Sequence, residues 1–355
     1  MDKNVGNAKR TAVFGLNSEG ASRGGLNLGH FLRDHDVDSN IVQILSAIDR
    51  SGIEIEHLVN RVALDNNTGV FNGGVQNSSG DEQKKLDVLT NDIMIENLTQ
   101  SGSCSLLLSE ENDDVIIVDD AHSGNYIVAF DPLDGSSNID CNCGVGTIFS
   151  ITLDINKAES IEHRVLRNGN NILCAGYILY GGSTDMVISL KGLGVHRFTL
   201  DTKTSEYIYT GILDITTKHK KIYSVNESNC ERWGADIRTY IEQYRTKSTK
   251  YTQRWIGSMV SDIHRTLLYG GMFCYPWDEQ NVHGKLRILY ECFPMAMILE
   301  EAGGMAIVAK MGMDRILDII PSNIHQKTPV LLGSKEEIVK YEQIVAQLHA
   351  SESSI

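Results

Sequence analysis

Residues Phe130 to Asp140 read FDPLDGSSNID, and the run YIVAF leads into them. An unbroken apolar and aromatic stretch of this kind predicts a buried strand. Pro132 has no amide hydrogen for a neighbouring strand and is expected to end it. Gly135 permits a tight turn, and Ser136 and Ser137 favour the start of a helix. The stretch therefore predicts two carboxylates, Asp131 and Asp134, at a strand's end beside free backbone N–H groups. Acid oxygens hold hard cations and such N–H groups hold phosphate, so a metal-assisted phosphate site is expected. Any single DP or DG pair would mean only a capped turn; the whole undecapeptide carries the inference.

Outward from this stretch, further acids stand at element ends. SLLLSEEN reads as a short strand ending in Glu110 and Glu111, followed by DDVIIVDD and then YIVAF. Two successive strands thus deliver paired acids. Upstream, DEQKKLDVLTNDIMIENL predicts a helix with Leu86, Leu89 and Ile93 as its apolar face and Asp87 near the buried edge. Asp81 stands where that helix meets LDNNTGVFNGGVQNSSG, a Gly-, Asn- and Ser-rich segment expected to be a mobile loop or a linker, with the acids at its exit favouring the loop. Before it, Ile41, Ile44, Leu45 and Ile48 recur at helical spacing, as do Ile55, Leu58, Val59 and Val62. Residues 1 to about 27 are polar and predict a loose arm.

Downstream, VGTIFSITL, NILCAGYILYGG, DMVISL and VHRFTL read as sheet strands. A soft domain boundary falls near Asp214, giving an N-terminal domain over 1–213 that carries most of the acids and a C-terminal domain over 214–355. In KLRILYECFPMAMILEEAGG a strand leads to Glu291, then a helix from Pro294 to Glu301 closed by Gly303 and Gly304. A last amphipathic helix has Ile338, Ile344, Val345 and Leu348 for packing.

The bulk properties set bounds. At 355 residues, with 41% hydrophobic and 22% charged residues, the chain suits a large soluble core. A formal charge of −14 argues against nucleic acid or acidic lipid as partner. There is no apolar run of membrane-spanning length, and the opening MDKNVGNAKR has no signal-peptide core. Seven cysteines without a paired framework fit a reducing compartment, so a cytoplasmic enzyme is expected. Cys141-Asn142-Cys143 admits metal or redox chemistry, although buried thiols are commoner.

If Asp81, Asp87, Glu110, Glu111, Asp131, Asp134 and Glu291 converge, they cannot all stay ionised without cations. All-oxygen donors favour Mg²⁺ or Mn²⁺ over zinc. Arg254, Lys285 and Arg287, with Asn226 and Tyr275, are candidates for a second phosphate.

The chain resembles the fructose-1,6-bisphosphatase family, within the metal-dependent sugar and inositol phosphatases. The likeness runs from about Asp81 to Gly333 and is carried by KKLDVLTND, LLSEE, FDPLDGSSNID, VGTIF, GSMVSDIHRTLLYGG, GKLRILYEC and EEAGGMA. It implies a layered α-β-α-β-α fold of the α/β class, with mixed sheets and two fused domains. It also implies a phosphoric monoester hydrolase that removes the 1-phosphate of fructose 1,6-bisphosphate in gluconeogenesis. The resemblance assigns two or more Mg²⁺ ions to Glu110, Asp131, the carbonyl of Leu133, Asp134 and Glu291, with Asp81 joining when its loop closes. By the same resemblance Asp87 and Glu111 handle the water's proton. Gly135, Ser136 and Ser137 donate to the 1-phosphate, and Asn226, Arg254, Tyr275 and Lys285 hold the 6-phosphate. Arg254 is implied to reach in from a neighbouring subunit of a tetramer.

Two family tyrosines at the 6-phosphate end are replaced by Asn229 and Trp255, which keeps sedoheptulose 1,7-bisphosphate as an alternative substrate. A non-catalytic metabolite-binding relative is the alternative from another class. The family's AMP pocket combines a helix start, a Lys-Tyr pair and a strand Arg. Here the pair reads Asn125-Tyr126 and the strand position holds Leu153, so weak AMP inhibition is expected.

Overall fold

The structure, a computed structural model, describes residues 25–65, 84–310 and 313–352. The expected N-terminal arm falls almost wholly outside these residues, as do Asp81 and most of the Asn- and Gly-rich segment before it.

An eight-stranded sheet runs in the order β2-β1-β3-β4-β5-β6-β7-β8. Its strands are β1 (Cys104–Ser109), β2 (Ile116–Ile117), β3 (Tyr126–Asp134), β4 (Val145–Leu153), β5 (Ile172–Tyr180), β6 (Thr184–Leu190), β7 (Gly194–Asp201) and β8 (Glu206–Leu213). Strands β1 and β3 are parallel and the other pairs antiparallel. A five-stranded sheet runs β10-β9-β11-β15-β13. It contains β9 (Ile222–Ser224), β10 (Thr252–Gln253), β11 (Met272–Tyr275), β13 (Met305–Val308) and β15 (Val330–Gly333). A two-stranded ribbon pairs β12 (Leu286–Arg287) with β14 (Lys327–Thr328).

The helices are α1 (Leu28–Asp34), α2 (Ser39–Arg61), α3 (Lys85–Gln100), α4 (Ile161–Val165), α5 (Ala235–Arg245), α6 (Met259–Tyr269), α7 (Phe293–Glu301) and α8 (Lys335–Glu352). Period-2 alternation along the strands sorts them into layers. Phe149 and Ile151 of β4 and Ile178 and Met186 beyond it pack with Ile44, Leu45, Leu86 and Met94 of α2 and α3. Ile148, Tyr177 and Val187, pointing the other way, pack with Val260 and Ile263 of α6 and Met295 to Leu299 of α7. The second sheet divides likewise: Phe273, Ala306, Val330 and Leu332 face α6 and α7, whereas Met272, Cys274, Ile307 and Leu331 face Ile237 and Tyr240 of α5 and Ile338 and Val345 of α8. The result is the expected α-β-α-β-α stack. Helix α7, buried on nearly every side from Phe293 to Leu299, sits in its middle as a helix apolar all round must.

Three local expectations are corrected. Strand β3 does not end at Pro132; it continues to Asp134. Its partner register jumps from Asp131–Ile148 to Asp134–Gly146, so Pro132 and Leu133 together oppose Thr147. The missing proline donor falls in that bulge, where no ladder bond needs it. On α3 the buried positions are Leu86, Asp87, Thr90, Asn91, Met94, Asn97 and Leu98, while Leu89 is exposed. In KLRILYEC only Leu286 and Arg287 are strand; Ile288–Cys292 forms a π-helical turn that runs into α7.

Candidate active site

The bulge in β3 decides where the two aspartates point. Residues three apart on a regular strand face opposite ways. Because Asp131 pairs with Ile148 and Asp134 with Gly146, themselves two apart, both aspartates instead face the α6–α7 side. The π-helical turn brings Glu291 to them. One carboxylate oxygen from each of Asp131, Asp134 and Glu291 lies within 4.8 Å of the others, and all three residues are buried.

Hydrogen bonds fix this cluster. Asp131 Oδ1 accepts from the amide of Leu133 at 2.9 Å. Asp134 Oδ2 accepts from Ser258 Oγ and from the amide of Val260, both at 2.9 Å, at the start of α6. Gly135 has φ +76°, and a Cβ there would come within 2.6 Å of Ser258 Cβ, so a side chain would push α6 off Asp134. Glu291 Oε2 accepts from the Arg287 amide at 2.6 Å. Arg287 Nη1 pairs with Glu110 at 2.6 Å.

Helix α3 supplies a fourth acid. Asp87 Oδ2 accepts from the Lys84 amide at 2.8 Å and from Ser136 Oγ at 3.4 Å. Asn91 bridges to the end of β1, accepting from Ser109 Oγ at 2.7 Å, so α3 and the Glu110-Glu111 pair are held in register. Lys84 Nζ, in turn, donates to Asp140 at 2.6 Å.

Electrostatics follow from this crowding. Burial, with Glu110, Asp134 and Glu291 nearby, holds the Asp131 carboxyl well above the usual range. Burial and then Glu110 push Glu291 up to about 8, against the opposing charge of Arg287. Burial also pushes Asp87 and Asp134 up to about 6 although hydrogen-bond donors work the other way. A cluster that resists ionisation by mutual repulsion, built only of carboxylate oxygens, fits a hard divalent cation.

A cleft of about 520 Å³ opens over these acids. Of the residues singled out from sequence, Asp87, Glu110, Glu111, Asp131, Leu133, Asp134, Gly135, Ser136, Ser137 and Glu291 line it. So do Tyr275 of β11, Arg287 of β12, and Asn226, Trp255 and Lys285 from the segments just after β9, just after β10 and just before β12. Trp255 stacks on Phe273 with ring centroids 5.8 Å apart and planes 2° from parallel. Asn226 Oδ1 accepts from Ser228 Oγ at 2.6 Å, fixing its side chain. Two residues named from sequence do not line this cleft. Arg254 is exposed and lines a separate depression with Lys220, Lys221, Lys250 and Tyr269. Asn229 lines a small adjoining recess and accepts from Arg232 Nη2 at 2.6 Å.

Sequence reading missed Lys84 and Ser258, which both line the cleft. Lys84 was legible as the residue three before Asp87, a capping-box spacing. Ser258 was legible as the capping residue before MVSDIHRTLLY. What it caps against, Asp134, is 124 residues away and was not.

Comparison with known proteins agrees with this geometry. The family model for fructose-1-6-bisphosphatase, N-terminal domain, matches residues 26–211, and that for the C-terminal domain matches 216–346. The cytosolic fructose-1,6-bisphosphatase of Brassica napus is 44% identical over 292 residues, covering 81% of this chain and 84% of its own length. That of Arabidopsis thaliana is 45% identical over 294 residues, with the same coverage. The crystal structure of Leishmania major fructose-1,6-bisphosphatase in holo form superposes with a TM-score of 0.85 at 40% identity, covering 90% of this chain and 99% of that one.

Proposed function

The chain belongs to the fructose-1,6-bisphosphatase family, and from that premise we propose that its cleft hydrolyses the 1-phosphate of fructose 1,6-bisphosphate to fructose 6-phosphate and phosphate. The observation that carries the proposal is the convergence of Asp131, Asp134 and Glu291 within 4.8 Å under a cleft that Asn226, Tyr275 and Lys285 also line. The acids suit a phosphoryl group under attack, and the amide, phenol and ammonium groups suit a phosphate that is only held. The reaction is the gluconeogenic one, and the cytosolic relatives support a cytosolic enzyme.

Catalysis in the family is metal-dependent, and the acidic cluster suits it. Glu110, Asp131, the Leu133 carbonyl, Asp134 and Glu291 would hold the ions, two or more Mg²⁺ with Mn²⁺ as substitute, and Asp81 would join them. A bound cation of this kind supplies charge for the phosphate oxygens and makes a water more acidic. The chain's own groups do the rest. Gly135, Ser136 and Ser137 orient the 1-phosphate. Asp87, buried and with a raised pKa, takes the nucleophile's proton together with Glu111, which lines the same cleft. Asn226, Tyr275 and Lys285 grip the 6-phosphate against the Trp255 wall, and Arg287 balances the acids from beneath.

Arg254, turned away from its own cleft, fits the role of a residue lent to a neighbouring subunit of a tetramer. The chain divides near Asp214, between the last strand of the large sheet and the first strand of the small one. The deciding experiment measures phosphate release from fructose 1,6-bisphosphate, sedoheptulose 1,7-bisphosphate and inositol monophosphate, each with Mg²⁺ and with chelator. Mg²⁺-dependent turnover is expected to be fastest on the first. Preference for the second would move the assignment to a longer sugar, and no turnover on any would make the chain a binding relative.

A further inference from the structure

Cys141 closes the 3-10 turn Ser136–Cys141, and Asn142 after it adopts the left-handed conformation, φ 57° and ψ 38°. That reversal returns Cys143 to the same side, where its amide donates to Asn138 O at 3.1 Å. The two Sγ atoms are 3.7 Å apart, and both residues are exposed, contrary to the expectation of buried thiols. Of the other five cysteines, Cys104, Cys174, Cys274 and Cys292 are buried and Cys230 is half-buried. Burial pushes the Cys104 thiol up to about 12 and those of Cys174, Cys274 and Cys292 higher still. Thiolate chemistry is therefore concentrated on one exposed dithiol.

The dithiol is mechanically joined to the cleft on both sides. Its turn begins at Ser136, a donor to Asp87, and contains Asp140, the partner of Lys84. On the other side, Gly144 O accepts from Ser261 Oγ at 3.2 Å, and a Cβ at Gly144 would approach that oxygen to 2.8 Å. Ser261 lies on α6, whose first turn holds Asp134.

We propose that Cys141 and Cys143 form a redox-active dithiol, oxidised by a small disulfide of the glutathione class to an intramolecular disulfide that slows turnover in the cleft. One thiolate attacks the small disulfide, forming a mixed disulfide and expelling one small thiolate, which takes up a proton. The second cysteine, giving up its proton, then attacks the protein sulfur of that mixed disulfide and expels the second small thiol. Two protein thiols are oxidised and one small disulfide is reduced to two thiols, so electrons and protons balance. Either sulfur can attack first, because both residues are exposed and each Sγ has the other 3.7 Å away to resolve the mixed disulfide. Closure brings the sulfurs from 3.7 Å to about 2.0 Å within a three-residue ring. Such a bond is strained and readily reduced, which makes it a reversible device and not a structural staple. Its formation drags Asp140 and Gly144, and through them Lys84 and α6.

The slowing of turnover rests on the phosphatase reading; the crosslink does not. The test incubates the full chain with glutathione disulfide, blocks remaining thiols, and measures intact mass, peptide mass and phosphate release. Expected are loss of two hydrogens mapped to the peptide holding both cysteines, a severalfold fall in kcat, and recovery with dithiothreitol. Cys143→Ser should keep the reduced enzyme's activity and accumulate a mixed disulfide at Cys141 instead. Glutathione adducts on both cysteines of the wild type without a crosslink would overturn the proposal. So would a crosslinked enzyme with unchanged kcat. A reduced enzyme inactive on every sugar phosphate would count against the phosphatase reading and leave mass alone to decide the crosslink.

Discussion

Arg287 Nη1 lies 2.6 Å from Glu110 Oε1, an ion pair between β12 and the end of β1 in which both side chains are nearly buried. The same residue's amide holds Glu291, and its charge opposes the rise in the Glu291 pKa. A guanidinium is thus built into the acidic cluster as a counter-charge, and any cation bound there must share Glu110 with it. Breaking a buried pair leaves one charge uncompensated, at a cost of about 3–5 kcal/mol.

Arg287→Met is therefore expected to act in opposite directions on two measurements. Without divalent cations its melting temperature should fall, because Glu110 loses its partner. The half-saturating Mg²⁺ concentration should also fall, on the order of tenfold or about 1.4 kcal/mol, because a competing positive charge is gone. A metal titration with an unchanged midpoint would show that Arg287 does not oppose the cation.

Stability should depend on pH with a sign set by the raised acids. Burial and Glu110 bring Glu291 up to about 8, and burial brings Asp87 and Asp134 up to about 6. Between their ordinary values and these, the folded chain holds more protons than the unfolded one, so stability is greatest at low pH and is lost as pH rises. In chelator, the melting temperature should drop from about pH 5 to about pH 8, and Mg²⁺ should restore it most at the upper end. Glu291→Gln should flatten the upper part of the curve. A metal-free melting temperature that climbs over this window would refute the assignment of raised pKa values.

The layers were legible because strand alternation and helical spacing report burial directly, and β4 occupies the whole of VGTIFSITL. The site was legible where acids stood at the ends of apolar runs. What could not be read was local geometry that depends on distant partners. Pro132 reads as a strand terminator until Thr147 is known to sit opposite the bulge and to donate to the Pro132 carbonyl at 2.9 Å. The apolar face of α3 was misjudged because its polar residues Thr90, Asn91 and Asn97 are buried by contacts with β1 and α2, not by their own hydropathy. Trp255 and Asn229 looked equivalent as departures, yet only Trp255 lines the main cleft.

Ser258 offers a test of how far α6 controls the cluster. Ser258→Ala removes the donor to Asp134 and the cap to Ser261, a loss of about 1 kcal/mol in stability. With one donor fewer, Asp134 should hold its proton more tightly and the half-saturating Mg²⁺ concentration should rise severalfold near neutral pH. Ser258→Thr should keep most of the wild-type behaviour. An alanine variant with an unshifted metal midpoint would reduce Ser258 to a capping residue.

The final prediction concerns AMP, and it turns on Asp38. In the resembled family the nucleotide's phosphate meets a helix start, a Lys-Tyr pair and a strand Arg. Here the start of α2 does lie against β3, since Tyr126 donates to Asp38 Oδ1 at 3.0 Å, and Tyr126 pairs with Leu153 across β3 and β4. The helix start is filled by its own carboxylate, however: Asp38 Oδ1 also accepts from the amides of Asn40 at 2.9 Å and Ile41 at 3.3 Å. Burial would raise the Asp38 pKa, but these donors outweigh it and hold the group below the usual range, so it is an anion where an anion would bind. Asn125 and Leu153 supply no charge, and Lys157 is engaged with the Gly124 carbonyl at 2.6 Å. Two absent charge-assisted bonds remove roughly 1.5–3 kcal/mol each, together about 10²- to 10⁴-fold in affinity, before repulsion by Asp38 is counted. Micromolar AMP should leave phosphate release untouched. The triple variant Asp38→Ser, Asn125→Lys and Leu153→Arg, which keeps a capping side chain on α2, should acquire saturable inhibition. Tight inhibition of the wild type would mean that the chain binds the nucleotide through groups other than this helix start.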